Sequence, residues 1–255
     1  MSAGRAPTPA ATLVILGEYR GLVFADKPAG LQTEPDARTS DTLVSRLAAQ
    51  MGEPVARFHA LSRLDTGVSG VVTLGLTSDA RRMVQQWRER GHFERRYVAL
   101  ASGHPDSSAG AWRESIGRGA GSLRVVAGRN AELAHTDYAV VASTELRERA
   151  TPKRVHLLAL APRTGRTHQL RVHCAAHALP LLGDRAYGGA ARLILASGAV
   201  TALDRIALHA AWVELPLPQP LRMEALTPPW LLDIWREFQG VEAAFSEARS
   251  VPLGA

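Results

Sequence analysis

Residues 60–75, ALSRLDTGVSGVVTLG, constrain the fold more than any other stretch of the chain. The largely apolar run at 71–76 predicts a buried strand. Gly67 and Gly70, just before it, permit tight backbone geometry and close approach by a neighbouring segment. Asp65 therefore falls on a short loop feeding a core strand, a common address for a catalytic side chain. The nearest acids along the chain are Glu53 and Asp79. Taken alone, the stretch favours a plainer reading, a local ion pair between Arg63 and Asp65 that shapes a turn.

The 255 residues are enough for one large domain or two small ones, and a hydrophobic fraction of 46% supports a sizeable core. A single cysteine, Cys174, rules out an internal disulfide and fits a reducing, cytoplasmic setting. The first 20 residues lack a long apolar segment and a clean cleavage site, so no signal peptide is expected. No run of about 18 apolar residues predicts a membrane span. The net charge of +6 suits a polyanionic partner such as nucleic acid. Lysine occurs only at Lys27 and Lys153, so nearly all the basic charge is arginine, which grips phosphate through a bidentate fork and stacks on bases.

Residues 1–11, rich in proline, alanine and glycine, read as a disordered tail, followed by a single domain over 12–248. Strands are expected at 12–16, 21–25, 93–101, 137–144, 155–160, 206–209 and 212–217, with a hairpin within 110–130. Helices are expected at about 41–51 capped by Asp41, at 78–90 capped by Ser78, at 168–178 capped by Thr167, and at 228–248. Gly240 weakens the continuity of the last. No repeat appears, and strands and helices mix without strict βαβ alternation. These features predict an α+β fold with a largely antiparallel sheet.

Two further stretches concentrate chemistry. Residues 163–171, RTGRTHQLR, bring three arginines, two threonines and a histidine around a glycine at a helix start, a suitable anion site. They could equally form a solvated basic turn, or pair with a lone acid such as Asp65. Tyr97 stands beside Arg95 and Arg96, and an aromatic next to arginines can stack on a base while they hold phosphates. His173 and His177 have the i, i+4 spacing of a metal pair, but no acid lies between them, Cys174 has no second cysteine nearby, and His168 is poorly placed for their face; metal is not the preferred reading. The Gly-rich 117–121 lacks a phosphate-loop pattern, and no nucleophile-elbow motif is present.

Together these stretches resemble the RluA-type family of RNA pseudouridine synthases. Arg63-Leu64-Asp65 with Ser69-Gly70 is similar to its catalytic motif, and Arg96-Tyr97-Val98-Ala99 with Gly103 to its tyrosine motif. The run from Gly165 to His173, GRTHQLRVH, resembles its third motif, continued by Pro180, Gly183-Asp184 and Tyr187-Gly188. Asp26-Lys27-Pro28-Ala29-Gly30 and Leu208-His209-Ala210 resemble the opening and late strands. Departures fall at Ser62, where the family often has histidine, at Val68, where threonine is common, and at Arg96, where lysine is usual. The small N-terminal RNA-binding domain of some members has no room here.

The resemblance implies a mixed, mainly antiparallel central sheet flanked by helices, with a central basic cleft. It implies Asp65 as the essential acid, Tyr97 stacking on the target uracil, Arg166 paired with Asp65, and Leu170 beneath the pocket. Arg63, Arg96, Thr167, His168 and Arg171 would join Leu170 in contacting RNA. The implied reaction isomerises a specific uridine of ribosomal or transfer RNA to pseudouridine, needs no cofactor or metal, and calls for no membrane or obligate protein partner. A non-catalytic RNA-binding protein, or a hydrolase or metalloprotein built on His168, His173 and His177, are the competing readings.

Overall fold

The buried strand forms over Ser69–Gly75, and every one of its seven residues is buried. It lies between neighbours in the middle of the principal sheet, which is why its sequence is nearly continuous in apolar residues rather than alternating. The computed structural model describes residues 12–145, 151–195 and 197–254; the expected tail at 1–11 lies outside them.

In chain order the first half holds β1 (Val14–Tyr19), β2 (Leu22–Lys27), α1 (Leu43–Met51), β3 (His59–Ala60), β4 (Ser69–Gly75), α2 (Ser78–Glu89) and β5 (Glu94–Ser102). Then come β6 (Ala109–Trp112), β7 (Ile116–Arg118), β8 (Arg124–Val126), β9 (Arg129–Glu132), β10 (Thr136–Glu145), β11 (Arg154–Pro162) and α3 (Gln169–Ala176). The last part holds β12 (Arg192–Ile194), β13 (Val200–Ala202), β14 (Leu208–Leu215), β15 (Leu221–Glu224), α4 (Pro229–Glu237) and α5 (Ala243–Ser250).

The principal sheet runs β1-β2-β4-β14-β5-β11-β10-β6, with β3 added to β4 and β15 to β14. Its pairings are antiparallel except one, β4 with β14, where Ser69 faces His209 and Gly70 faces Ala210. The fold is therefore the mixed, mainly antiparallel α+β class expected. Gly70 has φ +109°, and a Cβ there would lie 2.2 Å from the Ala210 carbonyl oxygen, so only glycine lets these two strands meet.

Strand alternation divides the core. Tyr97, Ala99 and Ala101 of β5 pack with α1 and α3 through Leu43, Leu47, Leu170 and Cys174. Val98 and Leu100 point to the opposite face and pack with α4 and α5 through Leu231, Trp235 and Phe245. A third cluster joins α2 to the β2 side of the sheet through Ala80, Val84, Leu22 and Phe24.

Several expected boundaries shift for local reasons. Thr42, not Asp41, caps α1: its extended backbone turns its hydroxyl onto the Ser45 amide, and Ser45 returns a bond in a capping box. The Asp41 carboxylate is engaged by Arg46 instead. Thr77, not Ser78, caps α2 through the Ala80 amide. The helix expected at 228–248 is two helices, because Gly240 lies against Trp235, whose ring would be 2.0 Å from an added Cβ. Trp235 Nε1 also bonds the Val241 carbonyl at 3.0 Å across the break. The two late strands expected at 206–209 and 212–217 are one strand, β14, with an irregularity between Ala210 and Trp212. The expected hairpin at 110–130 becomes β6 at the sheet edge plus a separate three-stranded sheet, β8-β7-β9. No described helix is long and apolar enough to cross a membrane.

Candidate active site

Asp65 sits on a turn closed by the Val68 amide bonding the Asp65 carbonyl at 2.9 Å. Three residues, from the last of β2 onward, pin that turn. The Thr33 hydroxyl donates to the Leu64 carbonyl at 2.9 Å and accepts from its amide at 3.2 Å. The Gly30 amide bonds the Thr66 carbonyl at 2.7 Å. The Lys27 ammonium, fully buried, donates to the carbonyls of Leu31 at 2.6 Å, Pro28 at 3.1 Å and Thr66 at 3.4 Å. Burial pushes the Lys27 amine down to about 8, while the Asp65 charge opposes that shift. On the other side Gly67 packs on Ile206 and accepts its amide at 3.0 Å. The Asp65 side chain is thus fixed in place while 29% of it stays exposed.

The Asp65 carboxylate meets Arg171, not Arg166. Arg171 Nη1 donates to Asp65 Oδ2 at 2.7 Å. Its Nε and Nη2 donate to the two oxygens of Asp184 at 2.7 and 2.8 Å. Asp184 is 1% exposed, so the guanidinium fork is clamped by one acid and offers its remaining edge to the other. Burial disfavours the Arg171 charge, but the bonds to Asp184 and Asp65 outweigh it and raise its pKa. The Tyr187 ring lies 4.8 Å from the guanidinium carbon. Asp65 Oδ1, the other oxygen, lies 3.8 Å from His168 Nε2. Burial lowers the His168 pKa, and its Nδ1 shares a 2.8 Å bond with the Tyr187 hydroxyl.

Arg166 ends elsewhere because it precedes α3. It pairs with Glu132, and its Nε donates to the Leu133 carbonyl at 3.0 Å. Arg171 lies within α3 and points inward next to Leu170, which is buried in the cluster that contains Tyr97 and Leu64. The expectation of an Arg166–Asp65 pair is corrected on this geometry. Thr167 is exposed and does not cap α3; His168 does, in a left-handed conformation with φ 57°. Gln169 performs the sealing instead, accepting from the Arg166 amide at 3.0 Å and the Thr164 hydroxyl at 2.7 Å.

Tyr97 is 8% exposed on the face shared with Leu170, and burial raises its hydroxyl pKa, with the Asp65 charge adding to the shift. Its phenol is therefore neutral at ordinary pH. Arg96 faces the other way, as strand alternation requires, so it does not flank the tyrosine. It is 7% exposed, bonds the Val251 carbonyl at 2.7 Å and lies 5.3 Å from the Trp212 ring. Arg95 does share the tyrosine's face, and supports the loop before α3 through the Pro162 and Thr164 carbonyls at 2.9 and 2.8 Å. Arg63 is exposed and reaches Glu34 at 3.9 Å rather than Asp65, which removes the local ion-pair reading.

The three histidines are not gathered around one point. His173 is buried and bonds the Thr136 hydroxyl at 2.9 Å and the Glu114 carbonyl at 3.2 Å. His177 meets the Glu114 carboxylate at 2.9 Å and stacks on Trp112 at 4.9 Å, while His168 turns to Tyr187.

Lys27, Thr33 and Asp184 were not singled out from sequence for a role in the site. The available signal was modest: Lys27 is one of two lysines, and Asp184 follows a glycine in a turn-rich segment.

The arrangement presents one immobilised carboxylate with an oxygen free of hydrogen bonds among the described residues, beside a neutral phenol and above an apolar floor. It suits attack on, or proton abstraction from, an electrophilic group held against Tyr97.

Residues 21–176 match the family model described as RNA pseudouridylate synthase. The chain is 32% identical to the dual-specificity RNA pseudouridine synthase RluA of Salmonella typhimurium over 81% of its own length and 88% of that protein. It is 31% identical to the RNA pseudouridine synthase YhcT of Bacillus subtilis over 81% of its length, and spans 65% of that longer relative. It is 33% identical to the ribosomal large subunit pseudouridine synthase D of Nitrosomonas europaea, covering 58% of that protein. Among solved structures it resembles human RNA pseudouridylate synthase domain containing 1, with a TM-score of 0.68 and 25% identity, covering 97% of this chain and all of that one.

Proposed function

Since the chain belongs to the RluA-type family of RNA pseudouridine synthases, we propose that it converts a specific uridine of ribosomal or transfer RNA to pseudouridine, with Asp65 as the essential acid. The observation that carries the reading is the Asp65 carboxylate itself, held on a pinned turn with one oxygen bound by the clamped Arg171 and the other open.

The reaction breaks the carbon–nitrogen bond between uracil and ribose, turns the base, and forms a carbon–carbon bond. The newly attached carbon loses a proton and the released nitrogen gains one, so the step is an isomerisation without net electron transfer. The base is unreachable while stacked and must leave the helix, at a cost of a few kcal/mol. Contacts between a basic surface and the RNA backbone offset that cost. The neutral Tyr97 ring would hold the detached uracil over Leu170, and Asp65 would act as nucleophile or base through Oδ1.

Arg171 keeps the carboxylate oriented and balances its charge. The relatives include a protein named for the large ribosomal subunit, so ribosomal RNA is the first substrate to test and transfer RNA the second. Asp65→Asn is isosteric and leaves the Arg171–Asp184 pair intact. It should abolish pseudouridine in the target RNA, mapped with and without the gene, while RNA binding persists. Full pseudouridine formation by that variant would overturn the assignment.

A further inference from the structure

Away from Asp65 a cavity of about 210 Å³ opens among the first residues of β5, the last of β11 and the segment after α5. Four arginines line it: Arg88, Arg95, Arg96 and Arg163. Arg163 is neutralised, with its Nε 2.6 Å from Asp137 and its Nη1 3.8 Å from Glu94. The other three have no carboxylate within 4 Å among the described residues. Their bonds go only to carbonyls, Arg88 to Leu61, Arg95 to Pro162 and Thr164, and Arg96 to Val251. The Nε atoms of Arg95 and Arg96 are buried with no hydrogen-bond partner at all.

Arg96 is buried and Arg95 half-buried; guanidinium groups so placed without counter-charge are costly, and Glu94, the one carboxylate in the lining, lies 3.8 Å from Arg163. Burial pushes the Arg96 guanidinium down to about 10 in spite of Glu94. Aromatic rings brace the walls: Arg88 lies 5.1 Å from the Phe93 ring, and Trp212 has Arg96 and Arg222 at 5.3 and 4.1 Å. Such stacking leaves the forks fixed in direction, as bidentate recognition of an oxyanion requires. The volume is smaller than the roughly 300–1,000 Å³ of pockets that enclose whole drug-sized ligands, and fits a phosphate group better than an entire nucleotide.

We propose that this cavity is a phosphate site, in which Arg88, at its exposed mouth, and Arg95 within it hold a phosphate group apart from the Asp65–Arg171 pair, with Arg96 lining the cavity from the opposite face of β5. Arg95 also props the Thr164 carbonyl ahead of α3, so a phosphate held here would stiffen the loop that leads to His168 and Arg171. The site takes either a phosphodiester of bound RNA or free phosphate. Only the first of these sources rests on the reading of the protein as an RNA-modifying enzyme.

The test titrates inorganic phosphate into the full chain by calorimetry at constant ionic strength, with chloride as the reference. Wild type and Arg88→Lys are compared with Arg88→Gln, and Arg82→Gln serves as a control on the same helix. Phosphate should bind to wild type, weaken on the order of tenfold in Arg88→Gln, and be largely unchanged in Arg82→Gln. Arg88→Lys, which keeps the charge but not the fork, should fall between. No binding to wild type, or equal binding to wild type and Arg88→Gln, overturns the proposal.

A second arm measures the salt dependence of poly(uridylic acid) binding. A slope reduced by about one phosphate contact in Arg88→Gln assigns the site to RNA backbone. An unchanged slope alongside lost phosphate binding assigns it to free phosphate. Neither readout depends on pseudouridine formation, so failure of the enzymatic reading leaves the phosphate result standing.

Discussion

Arg171 holds Asp65 with one nitrogen, at 2.7 Å, while Asp184 holds Arg171 with two oxygens, at 2.7 and 2.8 Å. The acid on the pinned turn and the acid in the core are joined through a single guanidinium. The chain runs from buried to half-open: Asp184 is 1% exposed, the Arg171 side chain 9% and the Asp65 side chain 29%. A fixed charge therefore stands at the back of the site and a partly exposed carboxylate oxygen at the front.

Removing Arg171 should cost both stability and rate. Arg171→Ala leaves Asp184 buried without a partner, a change worth about 3–5 kcal/mol in comparable buried pairs. It should also lower kcat/KM by roughly a hundredfold or more by freeing the Asp65 carboxylate. Arg166→Ala, which breaks a half-exposed pair with Glu132, should change kcat/KM by less than about fivefold. Chemical denaturation and turnover of the two variants side by side decide this; equal rate losses would refute the assignment.

Asp184 touches nothing that reacts, so its effect should be purely positional. Asp184→Asn keeps the shape but loosens the clamp. Turnover is expected to fall on the order of tenfold or more while KM for RNA stays near the wild-type value. A rise in KM with unchanged kcat would instead place Asp184 in RNA binding.

Gly70→Ala should be among the most damaging single-methyl additions in the chain. The new Cβ would lie 2.2 Å from the Ala210 carbonyl oxygen, at a φ of +109° that side chains rarely adopt. Parting β4 from β14 would cost upward of about 3 kcal/mol, in line with severe core substitutions. Gly30→Ala, with open space around its Cβ position, pays only for its positive φ and should lose less. Melting temperatures of the pair test the ordering.

Acid should destabilise the protein partly through His209. Burial pushes its imidazole down to about 3, and its Nδ1 bonds the Ser69 hydroxyl at 2.9 Å. In the unfolded chain it takes a proton near pH 6.5, whereas the folded form refuses it until about 3. The unfolded state thus binds more protons within that window, and folding stability falls as pH drops from 6.5 towards 3. The loss reaches about 2 kcal/mol near pH 5 from this group alone. Denaturation midpoints at about pH 7 and about pH 5 should therefore differ less in His209→Asn than in wild type. An equal drop in both would show that His209 is not responsible.

Much of this was readable before folding. Residues 71–76 announced a buried strand because six adjacent, largely apolar positions with no polar face must lie inside a sheet, and the strand Ser69–Gly75 does. The apolar spacing of Leu43, Val44 and Leu47 marked the inner face of α1. The motifs around Asp65, Tyr97 and Gly165–His173 named most of the site. Helix caps were less legible, because threonine and its acidic or serine neighbour are all competent acceptors. Which one caps depends on a single backbone torsion, as Thr42 and Thr77 show.

Sequence by itself determined which residue types were present, the period of each element, and hence the α+β class and which acid the motifs single out. Only the tertiary structure decided which arginine that acid meets. Arg166 and Arg171 carry the same group five positions apart, and linear order favours neither. The start of α3 leaves the first at the surface beside Glu132 and turns the second inward onto Asp184 and Asp65. Partner choice between identical charges is a matter of direction and burial, and those arise only when the helix is docked on the sheet.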